Sequence, residues 1–591
     1  MIKNPTYATF MNEVECYISN LSEDDLKQII LNLAEKQNTR DRNTFLAYLK
    51  ESNLATSHPD ETIILPDISP AKFIAQIKEF EGRIQDGEFY DEERSYWAYE
   101  REEYSYWRRD DYYDNFDDDI DFSDEEYVIE AITFLETAKQ FFRGQDNQTA
   151  FTAYEILFNI FENPAYYDGE DYFIYGFSFY EAIDPEFLRE HKTIYLRCQY
   201  LKCEPSNNFS NFYPTLAEEK EIFLSDLIEI DRSPLRNLDQ FITGFMQFLS
   251  DHPKHDSHLI DALFVKGGKE EIKHYAYAHG DKHPSVFLYY HEFVKEDKPA
   301  PADRLNTILD GIKIIPEKYV TRSRLGLDLV DIAKESNDKR NLLIGYSTAF
   351  YSDPTLRNLT FYINFIVTEN MTSEIEKLRE YLNKTEIPKS DSSYYSFGGI
   401  PEHRTIFSLD TARIGVKALI VGKFLLNGVD TLIDHINPKH YLGFSGAKSY
   451  VAIITALTLK AITKGIAAIV VDKLVDHYCI DVQSDECNSL KKMIADRSTN
   501  LSLDQTFIEK ALDKIESVAV NRVSHILTNK LRGGYDSACL LLVACAEVKQ
   551  LITKEGNDLV RQIDNDYKRF SAFRKPLKSL TSESRLLVSI K

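Results

Sequence analysis

From Ser123 to Phe161 the chain runs through one pattern twice: an apolar stripe at helical spacing, a break at Gly144, then a second stripe. Ser123 and Glu126 stand three apart, the spacing of a capping box, in which each side chain serves the other's backbone N–H. This spacing predicts a helix over Tyr127–Phe142 and a second over about 147–161, closed by Pro164. Phe134, Ala138 and Phe141 on the first helix alternate large, small and large, and Ala150 and Tyr154 continue the order on the second. Small residues let two helices approach closely, and large ones fill the groove of the next pair. A chain built on such a pattern folds as stacked helix pairs.

The rest of the sequence permits that architecture. Its 591 residues hold only 23 Gly and 19 Pro, the two residues that break helices, so long helices are favoured over strands and turns. Pro70 is expected to open a helix whose face is Phe73, Ile77, Phe80 and Ile84, and Pro185 one that runs to about Cys203. Ser233–Pro234 reads as an N-cap with Pro at the first helical position. Further helices are predicted over 302–315, 322–335, 338–351, 535–551 and about 557–570. Near the start, Ser22 with Asp25 precedes a stripe of Leu26, Ile29, Ile30 and Leu33. The large–small–large spacing resembles a tetratricopeptide repeat, so the expected fold class is all-α: degenerate helical repeats of α-solenoid type plus a C-terminal helical domain. The expected divisions are an N-terminal helical unit (1–85), an acidic aromatic-rich segment (86–122), a helical-repeat region (123–383), a Ser/Gly/Pro-rich linker (384–411) and the C-terminal domain with a basic tail (412–591).

Charge is unevenly distributed. Residues 1–300 carry 60 Asp+Glu against 29 Lys+Arg, a net −31, whereas residues 301–591 carry 35 against 40, a net +5. An acidic front repels nucleic acid and attracts basic partners, including the chain's own basic half. The charge is densest over residues 86–127, with 18 Asp+Glu, 4 Arg and 13 aromatics, among them both Trp of the chain. Two readings stay open: a solvated helix or linker whose aromatics pack on a neighbour, or a docking segment that folds against a basic partner. In the second, Tyr96, Trp97, Tyr106, Trp107, Tyr112 and Tyr113 are the partner-binding anchors, since Trp and Tyr dominate interface hot spots.

The seven Cys include no C-x-x-C pair, and Cys539 and Cys545 lie in an apolar stretch, which points to a reducing, cytoplasmic setting. The first residues lack the apolar core of a signal peptide. The apolar region Ile414–Val475 is broken by Lys417, Lys423, Asp430, Lys460, Lys464 and Asp472, so it reads as buried core rather than a membrane span.

The run 322–359 resembles the helical-repeat region of bacterial SWIM zinc-finger proteins, as do 535–551 and 567–577. In that family an Arg-bearing helix, an alanine-rich pair, an F…P-S/T-L link and a terminal R-x-A-F run recur. Their counterparts here are Arg322, Ala333, Phe350, Pro354–Leu356 and Phe570–Arg574. The family's zinc motif, C-x-C…C-x-H, is absent, so the resemblance implies a binding scaffold of helical repeats and carries over no zinc chemistry.

No other constellation assembles a familiar chemistry, and no cofactor is implied. Seven His fall between residues 252 and 291: His252, His255, His258, His274, His279, His283 and His291. Their spacing misses that of a helical metal pair, which favours a solvated His-rich surface over a metal site. His477, Cys479 and Cys487 lack zinc-site spacing. Asp117, Asp119 and Asp121 begin a calcium-like loop, but Phe122 and Val128 stand where Gly and Glu are needed. The stretch 443–449, GFSGAKS, fits neither a P-loop nor a nucleophile elbow. The basic tail offers Lys568, Arg569, Arg574 and Lys575 beside Tyr567, Phe570 and Phe573 as a local nucleic-acid contact, against the reading of a structural cap. Direct nucleic-acid binding is disfavoured for so acidic a chain. Binding ranks above catalysis: a protein-binding scaffold or adaptor comes first. A regulator that sequesters a basic nucleic-acid-binding protein, or a component of a bacterial defence or regulatory system without a catalytic site, comes next. An enzyme with its site in the C-terminal domain is the remaining alternative.

Overall fold

The computed structural model describes residues 66–90, 125–162, 165–167, 172–174, 179–206, 208–231, 233–296, 301–387, 413–437, 439, 450–480 and 485–589. The architecture is all-α, and the chain divides into two compact units, Met1–Lys202 and Cys203–Lys591. The expected helices before residue 66, the aromatic anchors between 91 and 124, the calcium-like run and the stretch 443–449 lie outside the described residues.

In the first unit, α1 (Pro70–Gln85) buries the expected face of Phe73, Ile77, Phe80 and Ile84. It packs on the pair α2 (Glu126–Arg143) and α3 (Asn147–Glu162). Phe73 stacks on Phe141 at 5.1 Å between ring centroids, and Phe80 meets Phe134 at 5.5 Å. Ala138, Ala150 and Ala153 are wholly buried, which is how the two helices come close. The helix α2 starts at Glu126 with Glu125 at the N-cap, two residues later than a cap at Ser123 would require. A short antiparallel hairpin, β1 (Ala165–Tyr167) with β2 (Tyr172–Ile174), follows, then α4 (Phe179–Ala182) and α5 (Pro185–Cys203).

The second unit opens with short helices α6 (Phe212–Glu218) and α7 (Leu224–Glu229), then α8 (Leu238–Ser250). The expected start at Ser233–Pro234 is displaced to Leu238. Asp231 explains it: its carboxylate takes the Ser233 backbone N–H at 3.2 Å and also the Ser233 hydroxyl, so that hydroxyl is spent on the loop and caps nothing. A stack then builds from α9 (Asp256–His279), α10 (Pro284–Glu296), α11 (Pro301–Ile314), α12 (Thr321–Ser336), α13 (Lys339–Ser352), α14 (Leu356–Thr368) and α15 (Thr372–Lys384). Each helix packs on its chain neighbours, and α10 also meets α12. The closest pair is α12 with α13. A Cβ on Gly326 would stand 2.8 Å from the Gly345 carbonyl oxygen, and one on Gly345 would stand 2.7 Å from the Gly326 oxygen. Only hydrogen fits between these backbones.

Beyond it lie α16 (Val416–Asn427), α17 (Tyr450–Thr463), α18 (Ile469–Cys479), α19 (Asp485–Asn500), α20 (Gln505–Thr528), α21 (Tyr535–Ile552), α22 (Gly556–Asp566) and α23 (Ser571–Glu583). Here helices gather round a centre. Every residue of α17 from Tyr450 to Leu459 is buried, as the apolar run predicts for core. No helix among the described residues is long and apolar enough to cross a membrane. One hydrophobic core runs from Phe350 on α13 to Leu587.

Candidate functional site

A cluster of ionisable groups around one buried histidine lies where α10 meets α12. His291 and Lys295 are one helical turn apart on α10, so they share a face. His291 is fully buried, and its Nε2 lies 2.9 Å from Asp328 Oδ2 on α12. Lys295 Nζ stands 2.6 Å from the same oxygen and 3.0 Å from Glu292 Oε1. Burial pushes the Asp328 carboxyl up, but hydrogen bonds from His291 and Lys295 together outweigh it and hold that carboxyl below its ordinary range. His291, Glu292 and Asp328 bring three ligand atoms within 4.8 Å of one another, a set that could hold a divalent cation. The Lys295 ammonium already touches two of those three side chains, so the cluster is arranged as an ion-paired polar seam between alternate helices.

The His-rich stretch is less solvated than its spacing suggests. His258, His283 and His291 are buried, each with an acceptor at hand. His283 places Nδ1 2.7 Å from Asp256 Oδ1 and Nε2 3.1 Å from the Ser250 carbonyl, tying the end of α8 and the start of α9 to the turn before α10. His258 Nε2 lies 2.6 Å from the Glu219 carbonyl. Expecting a wet surface was wrong here because the acceptors come from residues 27 to 39 positions away, which no local pattern reveals. The first unit holds a similar group. The buried Tyr154 hydroxyl lies 2.8 Å from His191 Nδ1, and burial with the nearby Lys139 charge brings the His191 pKa down to about 4. His191 Nε2 faces Glu136 Oε1 at 3.4 Å, which favours the proton on Nε2, so Nδ1 accepts and Tyr154 donates.

The sequence-derived basic residues separate in the fold. Lys568, Arg569 and Lys575 are exposed, but Arg574 is locked to Asp564 by two bonds of 2.6 and 2.9 Å. The Arg574 hydrogen bond, against the penalty of partial burial, holds the Asp564 carboxyl below its usual range. Arg574 thus ties α23 to α22 through Asp564. Arg322, likewise, donates to the Ile312 carbonyl and the Ser352 hydroxyl, both at 3.0 Å, fastening three consecutive helices. Asn358, just after the Pro354–Leu356 link, donates to the carbonyls of Ala349 and Asp353.

The buried cysteines are no nucleophiles. Burial pushes the Cys198, Cys479 and Cys545 thiols up to about 12, leaving no thiolate at neutral pH. Cys479 and His477 lie on α18, where Cys479 is wholly buried. Of the seam, His291 was visible in the sequence, whereas Asp328 was not, since its pairing spans 37 positions. Compared with known proteins, the chain matches no family model, no curated protein and no solved structure.

Proposed function

We propose that this chain is a protein-binding scaffold or adaptor whose partner presents a basic surface. The observation that carries the reading is the stack itself: helices that pack on their chain neighbours leave long side faces in water, the surfaces that helical-repeat proteins use for binding. Aromatic side chains stand out on those faces. Phe264 is 50% and Tyr277 40% exposed, and Phe264 lies against Phe293, over which Lys269 sits at 5.1 Å. The net −31 of residues 1–300 selects for basic partners, with Tyr96, Trp97, Tyr106, Trp107, Tyr112 and Tyr113 as anchors. The same charge supports a narrower second reading, a regulator that holds a basic nucleic-acid-binding protein.

The test is affinity capture with the intact chain and with residues 86–122 deleted. The deleted chain is expected to lose its principal partner, and capture by the intact chain is expected to weaken with salt. Retention of every partner by the deleted chain would overturn the assignment of that segment. Direct binding of the intact chain to DNA or RNA, without a protein partner, would overturn the narrower reading.

A further inference from the structure

We propose that Arg379 and Arg497 form an anion-binding clamp in the second unit, built to take a phosphate group. Arg379 comes from α15 and Arg497 from α19, and both point at the last turn of α16. Arg379 Nη2 and Arg497 Nη2 each lie 3.4 Å from one acceptor, the Leu426 carbonyl oxygen. The two nitrogens are thus no more than twice that distance apart. Both bonds are long for N–H···O, so neither guanidinium is well satisfied by the shared oxygen.

The charge count at this point is unbalanced. Arg379 has one carboxylate partner, Glu376, on its own helix. Arg497 has no ion pair among the described residues, and its buried Nε has no hydrogen-bond partner. Asp430 is the carboxylate that acts on Arg497 from a distance, while burial and the Arg379 charge both disfavour the Arg497 cation. A helix C-terminus carries a partial negative charge of about half an electron, which offsets only a small part of two cations. Gly428, with φ +95°, turns the chain away just after α16, and a Cβ there would stand 3.9 Å from Arg497 Nη2. Arg379 remains about one-third exposed, so the pair opens to solvent.

A tetrahedral oxyanion answers each of these features. It supplies the missing negative charge, and its several oxygens accept from two planar guanidinium forks at once. Free inorganic phosphate and the phosphate of a larger ligand share this chemistry.

Isothermal titration of the intact chain with inorganic phosphate, at ionic strength held constant with chloride, tests the clamp. Saturable binding at one site is expected, with Kd on the order of 1 mM. Arg379→Gln and Arg497→Gln should each weaken it about tenfold or more, whereas Arg561→Gln, on exposed α22, should leave it unchanged. Absence of saturable binding, or equal binding by all variants, overturns the proposal. Arg379→Glu reverses the charge beside Arg497, so phosphate binding should vanish, and binding retained by this variant overturns the clamp. Phenyl phosphate titrated in parallel separates the sources: tighter binding than inorganic phosphate assigns the group to a larger ligand, and equal or weaker binding to the free anion, the clamp standing in both cases.

Discussion

The stack α9–α15 and the bundle α16–α23 are both helical and belong to one unit, yet they hold together in different ways. Seams in the stack are polar or backbone-tight: Asp256 with His283, Asp328 with His291 and Lys295, and Gly326 against Gly345. In the bundle, α17 and α21 are apolar nearly all round, and α21 wholly buries a carboxylate, Glu547. That carboxylate accepts the Val470 and Val471 backbone N–H groups at 2.9 and 3.1 Å, closing the start of α18. A one-dimensional stack has little interior, so register must come from directional contacts between neighbours. A bundle encloses a volume, and packing of apolar side chains fills it.

The contrast can be broken at four places. Leu457→Ala, at a wholly buried position of α17, should cost about 3–4 kcal/mol in urea unfolding, since it loses transfer energy and leaves a cavity. A cost near zero would mean that the bundle centre is not close-packed. Gly345→Ala should cost about 2 kcal/mol, because the new methyl meets the Gly326 carbonyl and Val330. Its effect should be seen as faster amide exchange in α12 and α13, and exchange unchanged there would refute the close crossing.

The smallest effect is the most discriminating, because Asp328 and Glu547 respond to pH with opposite signs. Asp328 has a folded pKa held below its unfolded value, so its contribution is present above the unfolded pKa and is lost as pH falls through the folded one. Burial holds Glu547 above its unfolded value, despite the backbone N–H groups it accepts, so the folded state takes up a proton that the unfolded state does not. Its cost grows as pH rises from the unfolded pKa through the folded one. Asp328→Asn should therefore lower the melting temperature at pH 7 and matter least in acid. Glu547→Gln should raise it at pH 7, with the gain shrinking toward pH 4. Thermal melts of both variants at several pH values check the signs, and a shared sign would erase the contrast between seam and centre.

Much of the helix content was legible because periodicity and punctuation are local. Pro70 and Pro185 open their helices as read, and Ala138, Ala150 and Tyr154 are buried in the roles their spacing assigns. The cap signals were weaker guides. Ser123 and Ser233 have the chemistry of N-caps, but α2 starts after Glu125, and Ser233 is held by Asp231 two residues away. The polar seam was half legible. Seven closely spaced histidines mark the region, yet which of them are buried depends on carbonyls and carboxylates supplied by other helices.

By itself the sequence determined that this chain is helical, that its front is acidic and its rear mildly basic, and that α17 is core, because residue type and spacing act over a few turns. The tertiary structure alone decided what each charged residue is for. Arg574 was diverted to Asp564, His291 and Lys295 were drawn to Asp328, and Arg379 and Arg497 were set against one carbonyl. The reason is physical: an ionic partner is fixed by distance through space, and stacking helices brings together residues that the chain holds far apart.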